Sequence, residues 1–359
     1  MKALIAMSGG VDSSVAAYLM NEAGYECIGC TMKLHSDDIE GVDISQGNTC
    51  CSIDDVEDAR GVAHSLDMPY YVFDFQDKFK EKVIDYFVNS YENAMTPNPC
   101  IACNRYLKFE KLYDRAKELG CDKIVTGHYA RIEEIDGKYV LKKALDETKD
   151  QSYVLFSLTQ EQLAHTCFPL GELNKSKVRD IAKEHGFINA DKPDSQDICF
   201  VPDGDYVSVI KKYTGKDYPA GDFVDADGNV LGKHKGIIGY TIGQRRGLGI
   251  SAKESLYVCD ICPENNTVIL GKNDDLFSHE VYVENMHWIG GMPSTIDVEC
   301  RAKIRYRQKE TEAVAHVIDD EHIKIVFNEP QRAVTPGQAA VLYDGDIVLG
   351  GGTIVREGK

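Results

Sequence analysis

The run Lys2-Ala-Leu-Ile-Ala-Met7 passes straight into Ser8-Gly9-Gly10 and then into a segment from about Asp12 whose apolar residues Val15, Ala16, Leu19 and Met20 share one helical face. A strand, a glycine turn and a helix in immediate succession constrain the fold strongly, because such a strand is paired in parallel and covered by its helix. The pattern then recurs. A strand is predicted at Cys27–Leu34, a helix with Val56, Ala59, Ala63 and Leu66 on one stripe, a strand at Pro69–Phe75 and a helix near Lys78–Asn93. A loop holding two prolines and two cysteines is expected over Thr96–Asn104, then a helix Tyr106–Leu119 and a strand Lys123–Thr126 ending at Gly127-His128. The class is α/β, with a doubly wound parallel sheet.

Beyond about Gly204 helical periodicity gives way to alternating Val, Ile and Tyr segments broken by glycines. A small β-rich central domain is expected there, with a break near Asp275–Glu280. Strands at Glu299–Arg307, Glu312–Val317, Ile323–Val326 and Ala339–Tyr343 then read as a small barrel or sandwich. The 359 residues are thus divided into 1–203, 204–277 and 278–359. No apolar run reaches the ~18 residues of a membrane span, and the opening residues lack a signal-peptide cleavage site, so no membrane partner and a cytoplasmic address are expected.

A net charge of -18 argues against an indiscriminate polyanion binder. Basic residues nevertheless gather at Lys233, His234, Lys235, Arg245 and Arg246, and again at Arg301, Lys303, Arg305 and Arg307, as a solvated face or as a local grip on phosphates. In a reducing compartment the 12 cysteines are mostly thiols. Cys27, Cys30 and Cys121 lie in or beside apolar runs, as small buried hydrophobes do, and Cys50-Cys51 stand on a loop. Cys259-x-x-Cys262 has no second pair to complete a zinc site.

The chemistry gathers at Ser8-Gly9-Gly10-Val11-Asp12-Ser13-Ser14. Backbone N–H groups in a glycine-rich turn at a helix start form a nest for an anion. The loop lacks the lysine of a Walker A sequence and is not G-x-G-x-x-G, which makes a dinucleotide site a poor reading. Ser8, Ser13 and Ser14 add hydroxyls, and Asp12 either meets a phosphate through Mg²⁺ or caps the helix. An ordinary glycine turn with an Asp/Ser cap is the plainer alternative.

This loop resembles that of enzymes that split ATP into AMP and pyrophosphate to adenylate an oxygen. Asn48-Thr49-Cys50-Cys51, Thr96-Pro97-Asn98-Pro99, Cys103-Asn104, Lys108-Phe109, Thr126-Gly127-His128-Tyr129-Ala130, Lys149-Asp150-Gln151-Ser152-Tyr153 and Asp194-Ser195-Gln196-Asp197-Ile198-Cys199-Phe200 resemble the tRNA-specific 2-thiouridylase family. So do Gly239-Tyr-Thr-Ile-Gly-Gln-Arg-Arg-Gly-Leu-Gly, Arg305-Tyr306-Arg307-Gln308 and Thr335-Pro336-Gly337-Gln338, so the resemblance covers nearly the whole chain. It implies ATP-dependent replacement of the C2 oxygen of a wobble uridine by sulfur. The ATP with its Mg²⁺ would be held by Ala6, Met7, Ser8, Gly9, Gly10, Val11, Asp12 and Ser13, with Met32 and Gly127. Cys199 would carry a persulfide received from an upstream sulfur donor, and Cys103 would attack it or close a disulfide afterwards. For the tRNA, the resemblance implies Asn98, Pro99 and Cys100 at the target base, His128 beside it, Lys149, Asp150 and Gln151 along the chain, and Arg305, Tyr306 and Gln338 in a C-terminal tRNA-binding barrel.

Each residue has a duller reading. Cys199 fits a strand core, His128 a satisfied structural histidine, and Arg305 and Tyr306 an exposed strand edge. The chain also departs from the family pattern: where many members carry Asp, it has Cys100, making a Cys100-x-x-Cys103 pair. With Cys199 these thiols would hold a [4Fe-4S] cluster with one iron open to sulfide. Two rivals stay open on the residues alone, an ATP-splitting ligase or amidotransferase acting on a small molecule, and a non-catalytic tRNA-binding module.

Overall fold

The computed structural model describes residues 1–35, 53–193, 198–201 and 204–357, plus the backbone of two short paired strands, Asp38–Ile39 and Val42–Asp43. Cys50, Cys51 and residues 194–197, named above, lie outside the described residues. The chain forms two compact units, Met1–Ile84 with Pro99–Tyr206 and Asp346–Val348, and Asp85–Asn98 with Val207–Gly345 and Leu349–Lys359.

The first unit is built on a parallel sheet of β1 (Lys2–Ala6), β2 (Glu26–Lys33), β3 (Tyr70–Asp74), β4 (Lys123–Val125) and β5 (Thr166–Cys167). Its order, β3-β2-β1-β4-β5, starts in the middle and returns across β1, so the direction of winding reverses between β1 and β4. The carboxyl ends of these two strands therefore border the crevice where doubly wound sheets bind ligands. β1 and β2 are covered on both faces, which is why they read as continuous apolar runs. Helix α1 (Val11–Glu22) buries Val15, Ala16 and Ala17 completely, and α2 (Ile53–Ser65) contributes Ala59 and Ala63. These small side chains let the helices lie close on the sheet.

One expectation fails here, and a hairpin enters that was not expected. Thr96–Asn104 is not all loop: α3 (Pro99–Cys103) is helical and continues through a π-helical stretch, Asn104–Lys111, into the helix Leu112–Glu118. Proline at the first helical position starts a helix without loss, because its missing N–H would have had no partner. A hairpin pairs Ala130–Ile135 with Lys138–Lys143. Its turn, Asp136-Gly137, has φ of 50° and 75°, the tight form whose sequence signal is Asp-Gly. Helix α4 (Lys175–Glu184), capped by Asn174, buries Val178, Ile181 and Ala182 and completes the cover.

The second unit holds a helix, Tyr206–Thr214, where only strands were expected; Val209 and Ile210 bury its inner face. A four-stranded sheet follows in the order Val230–His234, Gly221–Val224, Thr267–Gly271 and Tyr257–Cys262. Its core is Phe223, Tyr240, Val258, Val268 and Leu270. The last part is a barrel and not a sandwich. Phe277–Trp288 pairs with Ile323–Arg332 on one side and with Ile347–Val355 on the other, closing the sheet around Val283, Ala302, Ile304, Phe327 and Leu342. The strand expected at Glu299–Arg307 is Asp297–Lys303, so Arg305 and Tyr306 lie in a turn. Among the described residues no helix is long and apolar enough to cross a membrane.

Candidate functional site

The loop after β1 turns at Gly9, whose φ of 69° is left-handed. A side chain there would overlap the Asp55 backbone of α2, with Cβ 2.7 Å from Asp55 Cα. Gly10 caps α1 without a side-chain bond. Ser13 and Ser14 donate to the Gly10 carbonyl at 3.0 and 3.1 Å, and Ser13 Oγ accepts from the Ser8 N–H at 3.1 Å. The Ser13 and Ser14 hydroxyls are thus spent on shaping the turn, while Ser8 is exposed, its hydroxyl 3.4 Å from Ser13 Oγ. Met32, at the end of β2, is buried. Gly127 follows β4, and a Cβ there would sit 2.8 Å from the Asp12 carbonyl carbon and the Ser13 nitrogen. The segment after β4 therefore lies against the first turn of α1, and only a bare backbone fits at Gly127.

Asp12 is not a helix cap. Its two oxygens lie 2.7 Å from Lys175 Nζ, at the start of α4, and the buried Tyr129 hydroxyl donates to Oδ1 at 2.7 Å. Behind Tyr129, its N–H donates to Gln151 Oε1 and its carbonyl accepts from the Gln151 N–H, each at 2.9 Å. Asp150 accepts from the Ala144 and Ser152 N–H groups and from the Ser152 hydroxyl. Asp150 and Gln151 thus brace this wall, while Lys149 is half-buried beside them. On the other flank, Asn189 Nδ2 donates to the Gly9 carbonyl and Ser14 Oγ, both at 2.9 Å. Lys192 spans Gly9 O, Asp55 and Asp58, its ammonium favoured by the two carboxylates despite partial burial. Lys175, Tyr129, Asn189 and Lys192 were missed; the one legible hint was the Asn174 cap before an amphipathic helix.

His128 is buried, with Nδ1 2.7 Å from Thr126 Oγ1 and Nε2 3.4 Å from Lys108 Nζ. The ammonium can only donate, so Nε2 accepts and the Nδ1–H points to Thr126. Burial first, and the Lys108 charge second, hold its pKa well below the usual value, so the ring is neutral. The unfolded chain takes up a proton below about pH 6.5 that the folded chain refuses, so stability falls as pH drops through that region. Urea melts between pH 7.5 and 5 are expected to show this loss, at most about 1.4 kcal/mol per pH unit from one group, and H128Q should flatten it.

Cys103 ends the α3 turn half-buried, Cys100 one turn earlier is exposed, and Pro99 is buried. Cys199 is half-buried in a turn, not in a strand core. Among the described residues no three His, Cys, Asp or Glu side chains gather to hold a metal ion. Cys100, Cys103 and Cys199 in this arrangement therefore do not form the three-thiol cradle that a cluster requires.

Asn98, Arg305, Tyr306 and Gln338 belong to the second unit. There Gln338 Nε2 donates to the Thr96 carbonyl at 2.7 Å and the Thr96 N–H donates to Pro336 O at 2.8 Å. Gly337, φ 90°, lies against the same segment, where a Cβ would stand 2.9 Å from Met95 Cβ and Thr96 N. The motif Thr335–Gln338 thus holds the approach to Asn98. The Arg305 guanidinium donates to Ala333 O and to Thr335 Oγ1, while Tyr306 is exposed.

Three family models match in succession: the tRNA methyl transferase HUP domain over residues 1–203, the tRNA methyl transferase PRC-barrel domain over 207–272 and the Aminomethyltransferase beta-barrel domain over 278–354. The tRNA-specific 2-thiouridylase MnmA of Clostridioides difficile is 53% identical over 357 residues, covering 99% of this chain and 98% of that protein. The protein of the same name from Clostridium acetobutylicum is 50% identical over 98% of this chain and 99% of its own length. That of Lachnoclostridium phytofermentans is 49% identical, covering 99% of each. Half of all positions are shared with proteins of one name, from the phosphate nest to the barrel, and the chain belongs to the tRNA-specific 2-thiouridylase family.

Proposed function

We propose that this chain uses ATP to replace the C2 oxygen of the wobble uridine of tRNA by sulfur. The observation that carries the reading is identity of about half over the entire length with tRNA-specific 2-thiouridylases. The glycine nest at the winding reversal supplies the anion site that such chemistry needs. A small-molecule ligase would need neither Cys103 nor Cys199, and a non-catalytic tRNA module would need no nest. Asp12 and the nest suit a nucleotide with its Mg²⁺, which would neutralise charge on the phosphates.

In the first step uracil O2 attacks the α-phosphorus of ATP, the bond to the β-phosphate oxygen breaks and pyrophosphate leaves. The terminal sulfur of a Cys199 persulfide then attacks C2, and AMP departs with the former O2. Cys103 thiolate attacks Cys199 Sγ, the S–S bond breaks toward the base, and 2-thiouridine leaves with a Cys103–Cys199 disulfide that an external thiol reduces. The persulfide comes from an upstream donor; in the cluster variant no persulfide would form, and sulfide would reach C2 at its own oxidation level. That variant would require Cys100, Cys103 and Cys199 to come together. The proposed division is catalytic 1–203, central 204–277 and tRNA-binding 278–359, in a cytoplasmic enzyme.

Mass spectrometry of nucleosides after incubation with unmodified tRNA, ATP-Mg²⁺ and a persulfide source is expected to show 2-thiouridine. Absence of product with both sulfide and persulfide supplied would sink the reading. Iron and acid-labile sulfide assays on anaerobically purified protein separate the two sulfur routes.

A further inference from the structure

A carboxylate at the mouth of an anion nest is an electrostatic contradiction, since Asp12 repels any polyphosphate that the nest attracts. Lys175 resolves it. Its Nζ lies 2.7 Å from both Asp12 oxygens, and its side chain is only 11% exposed against 31% for Asp12. A lysine charge so far from water must keep an anionic partner, but nothing requires that partner to be the same one throughout. Its stem is a flexible four-carbon chain, while its backbone is fixed at the start of α4, where the N–H donates to Asp146 Oδ2 at 3.1 Å. Asp12 has a second holder in the Tyr129 hydroxyl, so its carboxylate stays oriented if Lys175 leaves. The loop itself carries no lysine, and this one arrives from 163 residues further along the chain.

We propose that Lys175 is the polyphosphate-binding lysine of this nest: it rests on Asp12 while the nest is empty and transfers to the phosphate oxygens when ATP enters. The inference rests on the nucleotide reading above and assigns the group that recognises the β- and γ-phosphates. AMP, which lacks them, should be indifferent to Lys175.

The test is equilibrium binding of ATP and of AMP to the full chain, by calorimetry, in EDTA and in Mg²⁺, for the unsubstituted protein, K175Q, K175R and D12N, with thermal melts of each. K175Q is expected to weaken ATP binding in EDTA by about 30-fold or more, the loss of a charge-assisted contact, and to change AMP binding by less than about 3-fold. K175R should recover most of the ATP affinity, and D12N should tighten ATP binding in EDTA by releasing the lysine. Equal losses for ATP and AMP would mark Lys175 as a structural ion-pair partner and overturn the inference, as would unchanged ATP affinity in K175Q. If K175Q does not fold, D12N decides, and ATP binding no tighter than in the unsubstituted protein overturns it. Failure of the unsubstituted protein to bind ATP would instead overturn the nucleotide reading itself.

Discussion

Cys199→Ser is expected to lower 2-thiouridine formation by about 10³-fold or more while leaving tRNA-dependent pyrophosphate release largely intact, because a hydroxyl carries no persulfide and, in the proposed scheme, adenylation precedes sulfur transfer. Cys103→Ser should do the same to turnover. The paired measurements are nucleoside mass spectrometry and pyrophosphate release on the same samples. Cys100→Ser distinguishes the sulfur routes: Cys100 is exposed and has no covalent step in the persulfide scheme, and a serine of nearly the same size keeps its place beside the target base, so its variant should keep most of the activity, whereas a cluster bound by three thiols would lose iron and activity together. Thiolation surviving in both Cys103→Ser and Cys199→Ser would refute the sulfur chemistry altogether.

The second large effect is at Gly9. Gly9→Ala places Cβ against the Asp55 backbone, 2.7 Å from Cα, at a φ of 69°. Backbone cannot yield as a flexible side chain does. Left-handed strain of about 1–2 kcal/mol and overpacking of about 1–3 kcal/mol together predict roughly 2–5 kcal/mol of lost stability, and ATP affinity should fall with the nest. Gly24→Ala is the control. Gly24 has φ 79°, and a methyl group there would meet nothing within 4 Å, so only the backbone strain applies and ATP binding should stay unchanged. Urea unfolding with parallel ATP titrations checks both, and equal destabilisation by the two variants would contradict the close approach of α2 to the loop.

What the sequence made legible was local. The β1 run, the glycine turn and the α1 stripe carry their structure in adjacent residues, and the parallel sheet followed from repeating that unit. The barrel was harder. Phe277–Trp288 hides its alternation behind a register shift between Glu284 and His287, and it closes the sheet by pairing with strands far along the chain. The Asp136-Gly137 hairpin was readable and was overlooked, and the prolines of Thr96–Asn104 masked a helix start. In the site, the glycines and Asp12 stand in one motif, but the groups that fix them come from elsewhere: Tyr129 reaches Asp12 across 117 residues and Asn189 reaches Gly9 across 180. No spacing rule covers such pairs, since tertiary packing alone decides which lysine meets which carboxylate. Nor did composition tell that Arg305 would spend its guanidinium on Ala333 and Thr335.

The hold of Gln338 on Thr96 has a bearing on biosynthesis. Residues Asp85–Asn98 belong to the unit whose remainder begins at Val207, and their partner motif is made 242 residues later. At roughly 5–20 residues per second, a ribosome leaves this segment waiting for about 10 to 50 seconds before Thr335–Gln338 emerges. The stretch leading into Pro99–Cys103 is thus among the last parts of the nascent polypeptide to settle, and a product truncated before Thr335 would lack those two bonds however well its first sheet had formed.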